Sequence, residues 1–291
     1  PDEIRTLQAN LIRSHAAGVG EALPAELVRC ALLLRANTLA KGHSGVRREL
    51  LDVLLGMLNR GVHPVMPSRG SLGASGDLAP LAHLGLVLIG EGTAWFEGEI
   101  LDGRAALARA GLEPLQLEPK EGLALINGTS VMTAVGALVV HDARGLLKDA
   151  QTAASLSFEA LRGSPTPYDD RYVRLKPQPG ARETAANLRR LLRDSEIIPS
   201  HKGFHRVQDP YSLRCIPQVL GACRAAIEFA EGTIRIEMNS ATDNPLLFPA
   251  EGESLSGGNF HGQAVAMALD HVSLAMAVLA GFSERRTARL V

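Results

Sequence analysis

The sequence predicts a mainly α-helical protein, a bundle of long helices with one small β-hairpin. Hydrophobic residues make up 46% of the 291 residues but aromatic residues only 4%, so small and aliphatic side chains must form the core. Because β-sandwiches are enriched in aromatic and β-branched residues, this composition favours close-packed helices. Apolar residues also recur with helical spacing along most of the chain, and three of these stretches are unusually long.

Helical periodicity predicts four helices in the N-terminal third of the chain. We expect them at residues 3–17, 25–41, 46–60 and 78–90, with breaks at glycines 18, 20 and 42. The fourth is apolar on nearly every side, which indicates a helix buried all round. The segment that follows it, "TAWFEGEILDG", has two short β-prone runs about Gly98 and predicts the hairpin.

Three long helical stretches follow, at residues 130–162, 210–238 and 261–290, with proline-rich connections at 165–168 and 177–180. Each stretch exceeds the usual length of a globular helix, which favours a coiled-coil-like or multi-subunit bundle. No repeat or linker interrupts the chain, so we expect one helical domain over residues 1–291. Both ends lie inside or beside helical periodicity without a cap or breaker, so we expect the chain to be truncated at both ends.

Charge and cysteine usage limit the expected partners and location. The formal net charge is -1 with acids and bases mixed, so neither nucleic acid nor an anionic membrane is an expected partner. The apolar runs at 81–89 and 131–140 are shorter than a bilayer requires, so no membrane-spanning segment is expected. Cys30, Cys215 and Cys223 cannot all pair within the chain and lack metal-ligand spacing, which indicates the reducing cytoplasm.

Two familiar kinds of site are not supported by the motifs. His201 and His205 would share one helix face, as metal ligands do, but Gly203 separates them and no third ligand completes a set. We therefore expect no metal. The glycine-rich stretch "GSLGASG" at residues 70–76 has neither the G-K-[ST] ending of a phosphate-binding loop nor a predicted strand before it. Ser75 also lacks the G-x-S-x-G context of a nucleophile elbow.

The backbone of this stretch offers another chemistry, at Ala74, Ser75 and Gly76. Attack of the Gly76 amide nitrogen on the Ala74 carbonyl would close a five-membered ring, and Ser75 could then lose water to leave a methylidene electrophile. The close backbone approach that this attack needs is easiest for glycine, and strain held by a rigid surround could drive it. The residues alone also allow the simpler interpretation of a turn followed by a helix N-terminus.

Six segments together resemble the aromatic amino-acid ammonia-lyases. They occur in the family's order and extend through nearly the whole chain: "NLIRSHAAGVG", "GSLGASGDLAPLAHL", "EGLALINGTS", "HRVQDPYSLRC", "EMNSATDNPL" and "GGNFHGQAVAMALDH". The resemblance implies that Ala74, Ser75 and Gly76 form 4-methylidene-imidazol-5-one (MIO) autocatalytically, with no external cofactor. It also implies the helical fold of the ammonia-lyase and fumarase type and a homotetramer whose active sites are shared between subunits.

The resemblance implies further roles, each of which has an ordinary structural alternative. Asn127 would bond the substrate amine or the ring oxygen, although it could instead cap a helix. Arg214 would bind the substrate carboxylate, a task that suits its planar fork, although such an arginine is usually solvated. Tyr211 and Gln208 would lie on the same helical face and serve acid–base and polar contacts. Phe260 would pack against the ring or the substrate, or simply belong to the core.

The implied reaction is elimination of ammonia from an amino acid to give an α,β-unsaturated acid. His15, together with Ser14, matches the pair that histidine lyases carry, so it would bind the substrate imidazole and the product would be urocanate. "RVQDPYSLRC", which contains Pro210, also matches the histidine type, whereas Ser130 departs from its usual "NGTQ" and resembles some phenylalanine lyases. Phenylalanine or tyrosine ammonia-lyase and an MIO aminomutase remain the alternatives.

The resemblance also implies parts that lie outside the sequence. The family's loop with the catalytic tyrosine base would precede Pro1, and its glutamate-bearing segment would follow Val291. A catalytically silent structural core is therefore a further alternative.

Overall fold

The computed structural model describes residues 2–201 and 207–291, and it confirms the mainly α fold class. Its α-helices are α1 (Asp2–His15), α2 (Ala25–Ala40), α3 (Arg48–Arg60), α4 (Leu78–Leu88), α5 (Gly103–Arg109), α6 (Glu121–Ile126), α7 (Ser130–Ala160), α8 (Asp170–Arg174), α9 (Pro179–Leu191), α10 (Ile197–Ser200), α11 (Tyr211–Arg214), α12 (Ile216–Met238) and α13 (Gln263–Leu290). The strands are β1 (Val19–Ala22), β2 (His63–Pro64), β3 (Pro67–Arg69), β4 (Thr93–Phe96), β5 (Glu99–Asp102), β6 (Leu246–Phe248) and β7 (Glu253–Leu255). A 3₁₀ turn occupies Thr166–Tyr168.

The chain groups into two compact units. The first unit comprises Pro1–Leu138 with Ile234–Ala266, and the second comprises Val139–Thr233 with Met267–Val291. Three helices, α7, α12 and α13, contribute residues to both units. A single domain over residues 1–291 stays a prediction.

The predicted helices are confirmed, with shifted ends and one interruption. The four N-terminal helices correspond to α1 to α4, and the three long ones correspond to α7, α12 and α13. The stretch predicted at 210–238 is broken after the single turn α11, which ends at Cys215. Pro217 then lies in the first turn of α12, where its missing N–H removes no intrahelical bond.

The predicted hairpin about Gly98 is confirmed as the antiparallel pair β4 and β5, with Phe96 opposite Glu99. Its two turn residues, Glu97 and Gly98, both have positive φ (51° and 85°), as a tight primed hairpin turn requires. The strand β2 extends this hairpin to three strands, in the order β2-β4-β5. The antiparallel pairs β1–β3 and β6–β7 were not predicted, because these short strands lack an alternating apolar pattern.

The core of the first unit forms around α4, as the apolar sequence of this helix predicts. Leu81, Leu84 and Leu88 are fully buried, and α4 packs against α1 and α6. A Cβ on Gly85 would lie 3.0 Å from the Cδ1 atom of Ile12, so glycine allows α1 to approach closely. The tight packing holds the N-terminal end of α4, and with it the glycine-rich loop that precedes α4.

The second unit also depends on close helix packing. A Cβ on Gly180 would lie only 2.2 Å from the carbonyl oxygen of Gly221, so α9 and α12 touch through their backbones. The rings of Phe158 and Tyr168 pack with their centroids 5.2 Å apart, and both residues are fully buried. This packing fixes the segment around the 3₁₀ turn against the helices of the same unit.

Within the part of the chain that the structure describes, two helical stretches are long and apolar enough to span a membrane by length and composition alone. They are Glu121–Ala160 and Gln263–Leu290, with mean hydropathy of 1.9 and 1.8 in their most apolar windows. The sequence-based estimate of run length was therefore too short. Core helices of soluble proteins have the same property, so these two helices do not identify a membrane protein, and the absence of a membrane partner stays a prediction.

Candidate functional site

The predicted electrophile precursor lies in the glycine-rich loop between β3 and α4. The loop does follow a strand, contrary to the sequence-based expectation. Ser75 and Gly76 are buried, whereas Ala74 is exposed. Gly76 has a φ of +73°, and a Cβ there would lie 3.0 Å from the Ser71 hydroxyl. The position therefore needs glycine for its conformation and fits a Cβ poorly.

This loop forms one wall of a cavity of about 380 Å³ within the first unit. The cavity is lined by Ser71, Leu72, Gly73, Ala74, Ser75, Gly76, Met132, His261, Gly262, Gln263 and Ala266. Its opposite wall comes from the start of α13, where the backbone amide of Gly262 donates to the Ala74 carbonyl oxygen at 2.9 Å. The residue of the loop whose carbonyl would be attacked is thus held by a direct hydrogen bond.

Asp77 anchors the loop on its other side. Its fully buried carboxylate accepts hydrogen bonds from the backbone amides of Val131 at 2.6 Å and Met132 at 3.2 Å, at the beginning of α7. Burial raises the pKa of Asp77 to about 7, although the two amides and the guanidinium of Arg35 act in the opposite direction. The side chain next to Gly76 thereby caps α7 and ties the loop to it.

Asn127 belongs to a buried polar network in the same unit. Its side-chain amide donates to Asp243 Oδ1 at 3.0 Å and to the Asn244 carbonyl at 3.3 Å, and its own carbonyl accepts from Arg35 Nη1 at 2.6 Å. Asn127 ends α6, and the side chain that caps α7 is the carboxylate of Asp77, so the structural alternative of Asn127 as the N-cap is wrong. Asn127 does not line the cavity among the described residues.

Two members of this network, Arg35 and Asp243, were not singled out from the sequence. Both are buried, and Asp243 pairs with Lys120 at 2.7 Å. Burial lowers the pKa of Arg35 to about 10, while the charges of Asp243 and Asp77 act to raise it. A sequence signal existed for Arg35, because it stands in the apolar run "CALLLRANTLA" and an arginine is rarely buried unless it is paired.

His15 is the last residue of α1 and is partly buried. Its Nδ1 atom lies 2.8 Å from the Leu11 carbonyl oxygen, so this ring nitrogen bonds its own helix. The chain then turns and reaches the loop: a Cβ on Gly70 would lie 3.0 Å from the Cα atom of Gly18. The amide of Gly18 also donates to His83 Nε2 at 3.1 Å. The structure therefore brings the segment after His15 against the start of the loop.

Phe260 is partly buried and lies two residues before Gly262 in the chain. Gly262 is the residue that bonds Ala74, but Phe260 itself is not among the residues that line the cavity. Its role against the ring or the substrate stays a prediction.

Gln208, Tyr211 and Arg214 belong to the second unit and line one cavity of about 530 Å³ there. The structure therefore brings the three residues together, although Gln208 precedes α11 and so does not share a helical face with Tyr211 and Arg214. The Arg214 guanidinium lies over the Tyr211 ring, 4.5 Å from its centroid, and Tyr211 is 69% exposed. Arg289 also lines this cavity. An arginine and a phenol that face one cavity can bind a carboxylate and exchange a proton.

The backbone beneath this cavity is held by two buried side chains. The Tyr168 hydroxyl donates to the Leu213 carbonyl at 2.7 Å, and the Asp209 carboxylate accepts from the amide of Ser164 at 2.6 Å. Burial, followed by the charge of Asp209, raises the pKa of Tyr168, so this hydroxyl stays protonated and remains a donor. Neither side chain was predicted to be part of the site.

Metal binding gains no support from the described residues. Both ring nitrogens of His201 lie near backbone carbonyls, those of Ile197 at 2.7 Å and Gly163 at 3.2 Å, and His205 lies outside the described residues. Across residues 2–201 and 207–291, no group of three or more His, Cys, Asp or Glu side chains could hold a metal ion.

Comparison with known proteins places these sites in a family context. The model of the family described as aromatic amino acid lyase matches residues 1–291. The histidine ammonia-lyase of Gloeobacter violaceus is 59% identical over 99% of this chain and 56% of its own length. The histidine ammonia-lyase of Sorangium cellulosum is 56% identical over 99% of this chain and 57% of its own length. This chain thus spans a little over half the length of these relatives.

Solved structures give the same result for the fold. Histidine ammonia-lyase from Trypanosoma cruzi superposes with a TM-score of 0.91 at 42% identity, over 99% of this chain and 54% of that one. The phenylalanine aminomutase of Pantoea agglomerans superposes with a TM-score of 0.93 at 35% identity, over 98% of this chain and 58% of that one. The fold is therefore common to lyases and aminomutases.

Proposed function

This chain belongs to the aromatic amino acid lyase family, and on that premise we propose that it is the MIO-bearing part of a histidine ammonia-lyase. The reaction would be elimination of ammonia from L-histidine to give urocanate. The observation that carries the proposal is the environment of the Ala74-Ser75-Gly76 triplet: a buried serine and a left-handed glycine in a loop held from both sides.

The residues present fit an MIO group made from the chain itself. Gly76 has the conformation that other residues rarely adopt, the Ala74 carbonyl is fixed by Gly262, and Ser75 is buried at the wall of the cavity. Once formed, the group supplies a methylidene electrophile that turns the substrate amine into a better leaving group. No external cofactor is required.

The other predicted residues would bind the substrate and move protons. Arg214 would bind the carboxylate through its planar guanidinium, and Gln208 would add a polar contact on the same face. Tyr211 would exchange a proton from its exposed phenol. Asn127 would bond the substrate amine or the ring oxygen while Asp243 orients its side-chain amide. Phe260 would pack beside the ring.

His15 carries the choice of histidine as the substrate. A side chain that hydrogen-bonds an imidazole rejects an analogue without one, because the buried polar group would be left unpaired. The names of the relatives support histidine, since those described above are histidine ammonia-lyases at 56–59% identity. An aminomutase is the second candidate, supported by the structural likeness to the Pantoea agglomerans enzyme.

We further propose a cytoplasmic homotetramer with shared active sites. Cys30, Cys215 and Cys223 are all free, which suits a reducing compartment. Apolar side chains on α13, among them Met267, Leu274 and Val278, are about half exposed or more. Their spacing of seven and four residues places them on one helical face, where another copy of the chain could cover them.

Product analysis tests the proposed activity. The purified chain is incubated with L-histidine and, separately, with L-phenylalanine and L-tyrosine, and the products are separated by chromatography. We expect urocanate from the wild type and none from Ser75→Ala. A β-amino acid would identify an aminomutase instead. Cinnamate or coumarate without urocanate would contradict histidine as the substrate, and no turnover, when a full-length relative is active under the same conditions, would support a silent structural core.

A further inference from the structure

We propose that the backbone amide of Gly262 promotes formation of the MIO ring by stabilising the negative charge that develops on the Ala74 oxygen. This inference rests on the proposed function, and it assigns a step of maturation to a residue to which the sequence analysis gave no role.

The geometry fixes Gly262 in a donor position. Its amide donates to the Ala74 carbonyl oxygen at 2.9 Å. Its own carbonyl accepts from Ala266 at 3.0 Å, and the amide of His261 donates to Gly258 at 2.9 Å. Gly262 is buried immediately before α13. Because backbone bonds hold it on both sides, the donor needs little rearrangement during the reaction.

A side chain at position 262 would compete for space with the flexible end of Met132. A Cβ at position 262 would lie 2.3 Å from the sulfur of Met132 and 3.6 Å from the Ala74 oxygen. The amide of Met132 is in turn bound to Asp77 at 3.2 Å, so the backbone that carries this methionine is also fixed. Gly262 leaves this space to the Met132 side chain while its own amide bonds Ala74.

The ring-closing step makes this hydrogen bond stronger as the reaction proceeds. A bond forms between Gly76 N and the Ala74 carbonyl carbon, and the carbonyl π electrons move onto the Ala74 oxygen. A neutral acceptor thereby becomes an alkoxide, and hydrogen bonds to charged acceptors are about twice as strong as neutral ones. A donor that binds more tightly as charge develops lowers the barrier rather than merely stabilising the starting loop.

The remaining atoms balance without an oxidant or reductant. The Ala74 oxygen leaves as water with the amide protons of Gly76 and Ser75, and a C=N bond forms between Ala74 C and Ser75 N. A second water takes the Ser75 hydroxyl group and the Ser75 Cα proton, which leaves the methylidene.

Two substitutions at one position separate the N–H from the side chain. Gly262→Pro removes the donor, whereas Gly262→Ala keeps the donor and adds the same Cβ. Proline directly before a helix is tolerated in this chain, since Pro24 precedes α2 and Pro210 precedes α11. Each variant is made by cell-free synthesis, and its dehydration is followed over time by intact mass. Circular dichroism confirms that each is folded.

We expect the wild type to lose two waters, and Gly262→Ala to lose them at a similar or moderately lower rate. Gly262→Pro should lose them more slowly by on the order of 10²-fold, which is the effect of removing one oxyanion donor. Equal rates in the alanine and proline variants would overturn the inference and leave the proposed function standing. A wild type that never loses water would overturn both. If Gly262→Pro does not fold, an amide-to-ester replacement of the same bond removes only the N–H, and unchanged dehydration there overturns the inference.

Discussion

Replacing Asp77 with asparagine should remove a large pH dependence of stability. The carboxyl is fully buried, and burial raises its pKa from 3.8 to about 7. Between pH 3.8 and about pH 7 the Asp77 carboxyl is ionised in the unfolded state but keeps its proton in the folded state. The stability of the wild type therefore falls as the pH rises through this range. A shift of about three units corresponds to about 4 kcal/mol, at 1.36 kcal/mol per unit.

Asparagine at this position keeps an oxygen that can accept from Val131 but cannot ionise. The stability difference is the free energy of unfolding of Asp77→Asn minus that of the wild type. It should increase by about 4 kcal/mol as the pH is raised from below 3.8 to above 7, because only the wild type loses stability over this range. Urea unfolding followed by circular dichroism, at one fixed protein concentration, measures this difference. Asp52→Asn is the control, because Asp52 is an exposed carboxylate on α3 and should leave the wild-type pH profile unchanged. A stability difference between Asp77→Asn and the wild type that does not change with pH would refute the account of a buried carboxyl with a raised pKa.

Three further substitutions test the proposed site. Ser75→Ala should abolish turnover but leave the thermal unfolding of the helices unchanged within a few degrees; residual activity at the wild-type level would contradict the MIO assignment. Arg214→Lys keeps the charge but loses the bidentate fork, so kcat/KM should fall by on the order of tenfold or more, whereas Arg289→Lys in the same cavity should change it little. Replacing Ser14 and His15 together with Phe and Leu should shift the ratio of urocanate to cinnamate towards cinnamate, and an unchanged ratio would mean that His15 does not select the substrate.

The helical elements could be predicted because their apolar periodicity is local. The apolar sequence of α4 predicted a helix buried all round, and Leu81, Leu84 and Leu88 are fully buried while Leu78 and Leu86 are partly buried. The hairpin about Gly98 was also predictable, since Glu97 and Gly98 join two β-prone runs. The pair β1–β3 was missed because its pairing partners are far apart in the chain and neither strand alternates.

The candidate site was predictable where a motif named the residue and unpredictable where tertiary contacts create the role. The spacing of Gln208, Tyr211 and Arg214 predicted that they lie together, and they do line one cavity, although Gln208 lies before the helix rather than on it. By contrast, the contact between Gly262 and Ala74 joins residues almost two hundred positions apart, so no local pattern reveals it. The capping of α7 by Asp77 is likewise a long-range contact, and sequence spacing had suggested Asn127 instead.

The intact mass of the purified wild-type chain tests the central claim most directly. Closure of Ala74, Ser75 and Gly76 into the MIO ring predicts a mass lower than that of the sequence by two waters, and fragmentation should place the entire loss within this triplet. Ser75→Ala should not show that two-water loss. A folded wild-type chain with the full mass of its sequence would contradict the claim that these residues form the electrophile.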